Sequence, residues 1–244
     1  MTVYNSAMRL EPVTRLQYLF RLIVLLLLLA AAFLLARTAW EQGLFDRWLR
    51  GGDPTVPRQQ PVPSVKGKRV GIVAGHWGFD VGATCPDGLT EVSVNQTIAR
   101  LTAERLRRAG AQVDLMGEFD ERLPGYRADA FLSIHADSCL EGVSGFKAAR
   151  AVNSAVPEAE DRLLRCVYDR YAKATGLQPH PGSITHDMLE YHAFRVMDPT
   201  TPAVIVETGF LGGDRELLVK HPYRVAWGLA EGMLCFLTAS STPE

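Results

Sequence analysis

The chain has 244 residues, of which 47% are hydrophobic, and a formal net charge of −1. That is room for one sizeable core plus an appendage, and the near-neutral balance gives no electrostatic footprint for nucleic acid. The four cysteines (Cys85, Cys139, Cys166 and Cys235) show no CxxC spacing, which argues against a thiolate zinc site or a redox pair.

In chain order, residues 1–15 form a polar tail. Residues 16–36 are almost wholly apolar, broken by Gln17 and Arg21. With Arg21 snorkelling to the interface, this run reaches the roughly 20 residues a bilayer needs. The expectation is an uncleaved transmembrane anchor. A signal peptide is the alternative, but cleavage after Ala39 would place Arg37 where a small residue is required. A helix of the globular core is disfavoured because the run is apolar on every face. Arg9, Arg15 and Arg21 precede the span, while Arg37, Arg47 and Arg50 follow it, so a cytoplasmic N-terminus is only mildly favoured. Trp40 and Trp48 suit the far headgroup region. Residues 37–68 are a juxtamembrane segment and linker, and within 51–68 the residues Gly51, Gly52, Pro54, Pro57, Pro61 and Pro63 exclude helix and central strand. Such a tether is semi-extended at about 3.1 Å per residue, enough to hold a domain on the order of 50 Å from a membrane. A plain boundary is the equal alternative.

The globular domain, 69–238, opens with a buried strand at Arg69–Ala74 that runs into the loop Gly75-His76-Trp77-Gly78. Thr90 can cap a helix from Glu91 to about Ala109, which Gly110 stops. Strands follow at Gln112–Met116 and from Ala130 to His135, joined by a short connection over 117–128. A further strand is expected within Gly145–Arg150 and a helix over Glu158–Ala174. Residues 177–200 are irregular and can form a wall of a cleft. Ala203–Val206 is a buried strand ending at Glu207, and two closing helices follow. Strands alternating with helices imply an α/β fold: a single twisted, mostly parallel sheet with helices on both faces, preceded by the transmembrane helix.

His76, His135 and Glu207 thus lie at strand ends, and Glu91 lies in the first turn of the helix after the His76 loop. In a parallel sheet those points gather along one rim. Two imidazoles and a carboxylate are a known ligand set for catalytic zinc. Each residue has a plainer alternative. His135 can bond a neighbouring loop, Glu91 can complement a helix dipole, and Glu207 can pair with a lysine or arginine. A carboxylate ending an apolar strand is costly unless paired, protonated or functional, and its raised pKa suits a general base. Asp80 and Asp137 can orient imidazoles or cap turns, and Asn95 can reach the site. His180, His186, His192 and His221 are weaker candidates. A Cys85–Cys139 disulfide is open, while Cys166 and Cys235 read as buried thiols.

AGHWGFDVGA, GLTE, FLSIHAD with SGF after it, and PAVIVETGFLGG resemble, in that order, the zinc-dependent N-acetylmuramoyl-L-alanine amidases of the Amidase_3 type. The resemblance runs from Val70 to about Leu237. It implies that His76, Glu91 and His135 bind Zn2+ and that Glu207 is catalytic. It also implies hydrolysis of the amide between N-acetylmuramic acid and L-alanine in peptidoglycan, outside the cytoplasmic membrane. The chain departs from the family at Val73-Ala74, where Asp-Pro is usual, at Asp137 in place of Asn, and in the short 117–128 connection. A protein activator stays open. So do three rival readings: a peptidase acting within the stem peptide, a non-catalytic wall-binding protein, and a membrane assembly factor.

Overall fold

The computed structural model describes residues 12–41 and 64–239. They belong to two compact units, Met1–Arg58 and Gln59–Glu244. In the first, helix α1 spans Pro12–Glu41. Its side chains are described at 17, 19–31 and 34, and among the described residues no helix is long and apolar enough to cross a membrane. The tail 1–11, Trp48 and the linker over 42–63 lie outside the described residues.

The second unit has a mixed α/β fold. Its elements are β1 (Arg69–Ala74), α2 (Glu91–Arg108), β2 (Gln112–Met116), β3 (Ala130–Asp137), β4 (Lys147–Ala149), α3 (Pro157–Thr175), α4 (His186–Leu189), α5 (His192–Val196), β5 (Ala203–Phe210) and α6 (Pro222–Ala239). The sheet order is β2-β1-β3-β5-β4. All neighbours are parallel except β4, which runs antiparallel to β5 at the edge. β5 is longer than its apolar run predicts. It continues through Glu207 to Phe210 because Thr208 Oγ1 donates to the His135 carbonyl at 2.8 Å and the ladder resumes beyond a bulge.

Helices cover both faces unequally. Alternate strand residues point to opposite faces. Val70, Ile72, Ala74, Leu132, Ile134, Val204 and Val206 share one core with α2, α3 and α6. Val73, Phe131 and Ile205 belong to a smaller core, closed by Tyr126, Met188, Tyr191 and Met197. That second cover comes from the segment read as irregular, which carries the short helices α4 and α5. His135 and Glu207 continue the alternation of Phe131 and Ile205, so they fall on the thinly covered face.

Two disulfides join described cysteines: Cys85 to Cys139, and Cys166 to Cys235. The second corrects the reading of Cys166 and Cys235 as buried thiols. Sequence hid it because the proximity of α3 and α6 depends on a glycine. A Cβ at Gly232 would meet the Val167 backbone at 2.9 Å, so only glycine lets the helices approach that closely. The first bridge closes 54 residues. In the chain-entropy account such a loop contributes about 4 kcal/mol. Cys85→Ser paired with Cys139→Ser should therefore lower unfolding stability by several kcal/mol, read as a lower urea midpoint with a steeper slope, because the unbridged unfolded chain exposes more surface.

Candidate metal centre

His76 follows the end of β1, where the chain turns through a left-handed conformation with φ 65°. For a residue with a Cβ this costs on the order of 1–2 kcal/mol, and the surroundings must hold it there. Gly75 precedes it because the His135 ring lies where a Cβ would project. Glu91 opens α2 and is buried. Thr90 occupies the cap position without a side-chain cap bond, so the helix start is held by other contacts. The Glu91 backbone N–H donates to the Ala83 carbonyl at 2.8 Å, and Glu91 Oε2 accepts from the Ala83 N–H at 3.1 Å.

The Glu91 carboxylate lies between both imidazoles. Oε2 is 3.1 Å from His76 Nε2, and Oε1 is 3.1 Å from His135 Nδ1. His76, Glu91 and His135 each offer a ligand atom, all within 4.8 Å of one another, so they form a group that can hold a metal ion. Asn95 reaches the site as well, donating to Glu91 Oε1 at 3.1 Å and to the Gly75 carbonyl at 3.2 Å. Asp80 Oδ1 lies 2.5 Å from His76 Nδ1, behind the ring. Asp137 does not orient an imidazole. It accepts from Lys147 Nζ at 2.5 Å.

Glu207 pairs with His135 across the parallel β3–β5 register and with Lys147 across the antiparallel edge. Its Oε2 is buried with no hydrogen-bond partner, and so is His135 Nε2. Lys147 is spent on Asp137, so Glu207 lacks the direct ion pair that was its plainer alternative. The orphaned Glu207 oxygen beside a His-Glu-His cluster fits a site completed by a cation and a water.

Charge follows the geometry. Burial raises the Glu207 pKa to about 7. The bond to Glu91 raises His76 to about 9, against its own burial. Burial pushes Glu91 upward, but the bonds from His135 and His76 outweigh it and hold the group well below the usual carboxylate range. In the metal-free chain His76 is therefore protonated at neutral pH, and an incoming cation must displace that proton. Burial pushes the His135 pKa down, but its bond to Glu91 and the surrounding carboxylates outweigh that and raise it as well. Metal affinity should therefore rise with pH from 7 toward 9 by at least about tenfold per unit, one factor for each proton displaced. Chelator competition across that range checks the slope, and calorimetry in buffers of different ionisation enthalpy checks the proton release.

The connection over 117–128 holds a group that the sequence reading passed over. Glu118 is buried and reaches the same cluster, 3.6 Å from His135 Nε2. Its available signal was position, since it lies two residues beyond β2 on the rim that also carries His76. Of the weaker histidines, His192 meets Glu118 at 2.7 Å, His180 meets Ser183 at 2.7 Å, and His221 lies 3.9 Å from Glu216.

Residues 70–235 match the family described as N-acetylmuramoyl-L-alanine amidase. The chain is 34% identical over 111 residues to the N-acetylmuramoyl-L-alanine amidase AmiC of Neisseria meningitidis, covering 39% of this chain and 27% of that protein's length. It is 29% identical over 221 residues to the amidase AmiA of Escherichia coli, covering 70% and 76% respectively. Among solved structures, the catalytic domain of the amidase CwlV from Bacillus (Paenibacillus) polymyxa var. colistinus aligns with a TM-score of 0.55 at 26% identity, over 70% of this chain and 98% of that one. The matched span contains all four candidate site residues, and the chain belongs to the Amidase_3 family of N-acetylmuramoyl-L-alanine amidases.

Proposed function

We propose that this chain hydrolyses the amide bond between N-acetylmuramic acid and L-alanine in peptidoglycan, with zinc held by His76, Glu91 and His135. The observation that carries the reading is the His-Glu-His cluster with an unpaired Glu207 carboxylate beside it. Two imidazoles and a carboxylate suit zinc, with a further position left for water. Zinc bound there supplies Lewis acidity, lowering the pKa of a water to about 7 and polarising a carbonyl. Glu207 takes the proton of the attacking water and delivers one to the leaving amine. Its burial supports this role, because desolvation raises the affinity of a carboxylate for a proton. Asn95 holds the Glu91 carboxylate and the Gly75 carbonyl, and Asp80 fixes the tautomer of His76.

In the same reading, 16–36 is a single-pass anchor, 37–68 a tether, and 69–238 the catalytic domain on the outer side of the cytoplasmic membrane. The support is the apolar run itself and the exposure of Leu25 through Leu29 along α1. The two disulfides fit an oxidising compartment.

The test is mass spectrometry of peptidoglycan digested by the purified chain, with zinc and with a chelator. Free stem peptides beginning with L-alanine, released only with metal, are the expected result. Cuts inside the stem peptide would instead establish a peptidase. Metal-loaded protein that releases nothing from the wall would support a binding role.

A further inference from the structure

Glu118 has more partners in the site than any sequence motif accounts for. Its Oε2 accepts from the backbone N–H of His76 at 2.6 Å. Its own N–H donates to the Trp77 carbonyl at 2.9 Å. These reciprocal bonds hold the β1 loop where His76 takes its left-handed conformation. On the other side, Oε1 accepts from the Tyr191 hydroxyl at 2.8 Å and lies 2.7 Å from His192 Nε2. The Tyr191 hydroxyl also accepts from Ser133 Oγ, which lies two residues before His135 on β3. A carboxylate offers about four acceptor sites. His76, Tyr191 and His192 fill three of them. The fourth faces His135 Nε2 at 3.6 Å, and that nitrogen is buried without a hydrogen bond. The gap is about half an ångström beyond hydrogen-bond range. The opposite nitrogen, Nδ1, is the one that faces Glu91.

We propose that Glu118 is a positioning residue of this site: it fixes the ring and tautomer of His135 through Nε2–H, holds the His76 loop, and ties both to the 177–200 wall. The inference rests on the proposed metal site. It gives each ligand imidazole its own carboxylate behind the ring, Asp80 for His76 and Glu118 for His135. Outer carboxylates of this kind typically contribute 10–100-fold to metal affinity.

The experiment uses the whole chain and reads metal binding rather than turnover. Zinc affinity is measured by chelator competition, and cobalt(II) serves as a spectroscopic probe of the ligand field. Glu118→Gln keeps the volume of the side chain. It should lower zinc affinity 10–100-fold and alter the cobalt absorption bands. Unchanged affinity and an unchanged cobalt spectrum would overturn the proposal. Nitrogen-15 NMR of the imidazoles in the unsubstituted, zinc-loaded chain provides a reading that no folding defect can confuse. His135 should carry its proton on Nε2, and a proton on Nδ1 would overturn the assignment. Should the unsubstituted chain take up no zinc or cobalt at all, the metal reading itself falls, and the role of Glu118 with it. A loss confined to Glu118→Gln separates the two.

Discussion

Glu207→Gln should retain fold and metal and lose between about 10² and 10⁴ in turnover, the range a positioned general base supplies. The amide is nearly isosteric with the carboxyl and carries no charge, so the β5 backbone and its register with His135 have no reason to move. What is lost is the ability to accept the water proton and pass it to the departing amine. The sign of stability is also defined. In the metal-free chain the Glu207 pKa is raised to about 7 by burial. The folded state therefore favours the protonated form. Stability from this group is fully present below the ordinary carboxylate pKa and falls as pH rises through about 7. The glutamine variant lacks that titration, so its denaturation midpoint relative to the unsubstituted chain should improve as pH rises from 5 to 8. A variant that folds but holds no metal would reassign Glu207 as a ligand.

The second large effect is expected at Glu91. Glu91→Ala removes one of the three proposed ligand groups and leaves both imidazoles without the carboxylate between them. Zinc affinity should fall by more than the 10–100-fold that loss of an outer partner costs. The His76 pKa, held near 9 chiefly by its bond to Glu91, should drop toward the ordinary imidazole value. Proton NMR titration of the metal-free variant reads this directly. An imidazole that still titrates near 9 would show that Asp80 alone holds the proton.

Much of this architecture is legible from periodicity. The runs at Arg69–Ala74 and from Ala130 to His135 read as strands because both of their faces are covered; the bounds of β1 and β2 coincide with the reading, while β3 continues two residues further, to Asp137. His76, Glu91, His135 and Glu207 stand out because polar groups end or follow those runs. Glu118 does not, since it sits in a connection rich in polar residues where one more carboxylate carries no contrast. Its burial depends on Tyr191 and His192, more than 70 positions away in sequence. The Cys166–Cys235 bridge was hidden for a related reason, because helix–helix distance is a tertiary quantity. Asp137 read as a partner for histidine or a turn cap; its Oδ1 accepts from the Ser138 N–H at 2.7 Å, and the three-residue edge strand β4 supplies Lys147 to its Oδ2.

The unequal cover of the sheet separates robustness from chemistry residue by residue. Along β3, Ala130, Leu132, Ile134 and Ala136 face the three long helices, while Ser133, His135 and Asp137 face the thin side; along β5, Val204 and Val206 alternate with Ile205 and Glu207. A scan of all substitutions should therefore record abundance effects at the apolar positions of both cores, Phe131 and Ile205 of the smaller one included. Activity effects without loss of abundance should concentrate at the rim, at His135 and Glu207. New specificities can then arise on one face of the sheet without disturbing the packing that keeps the other folded.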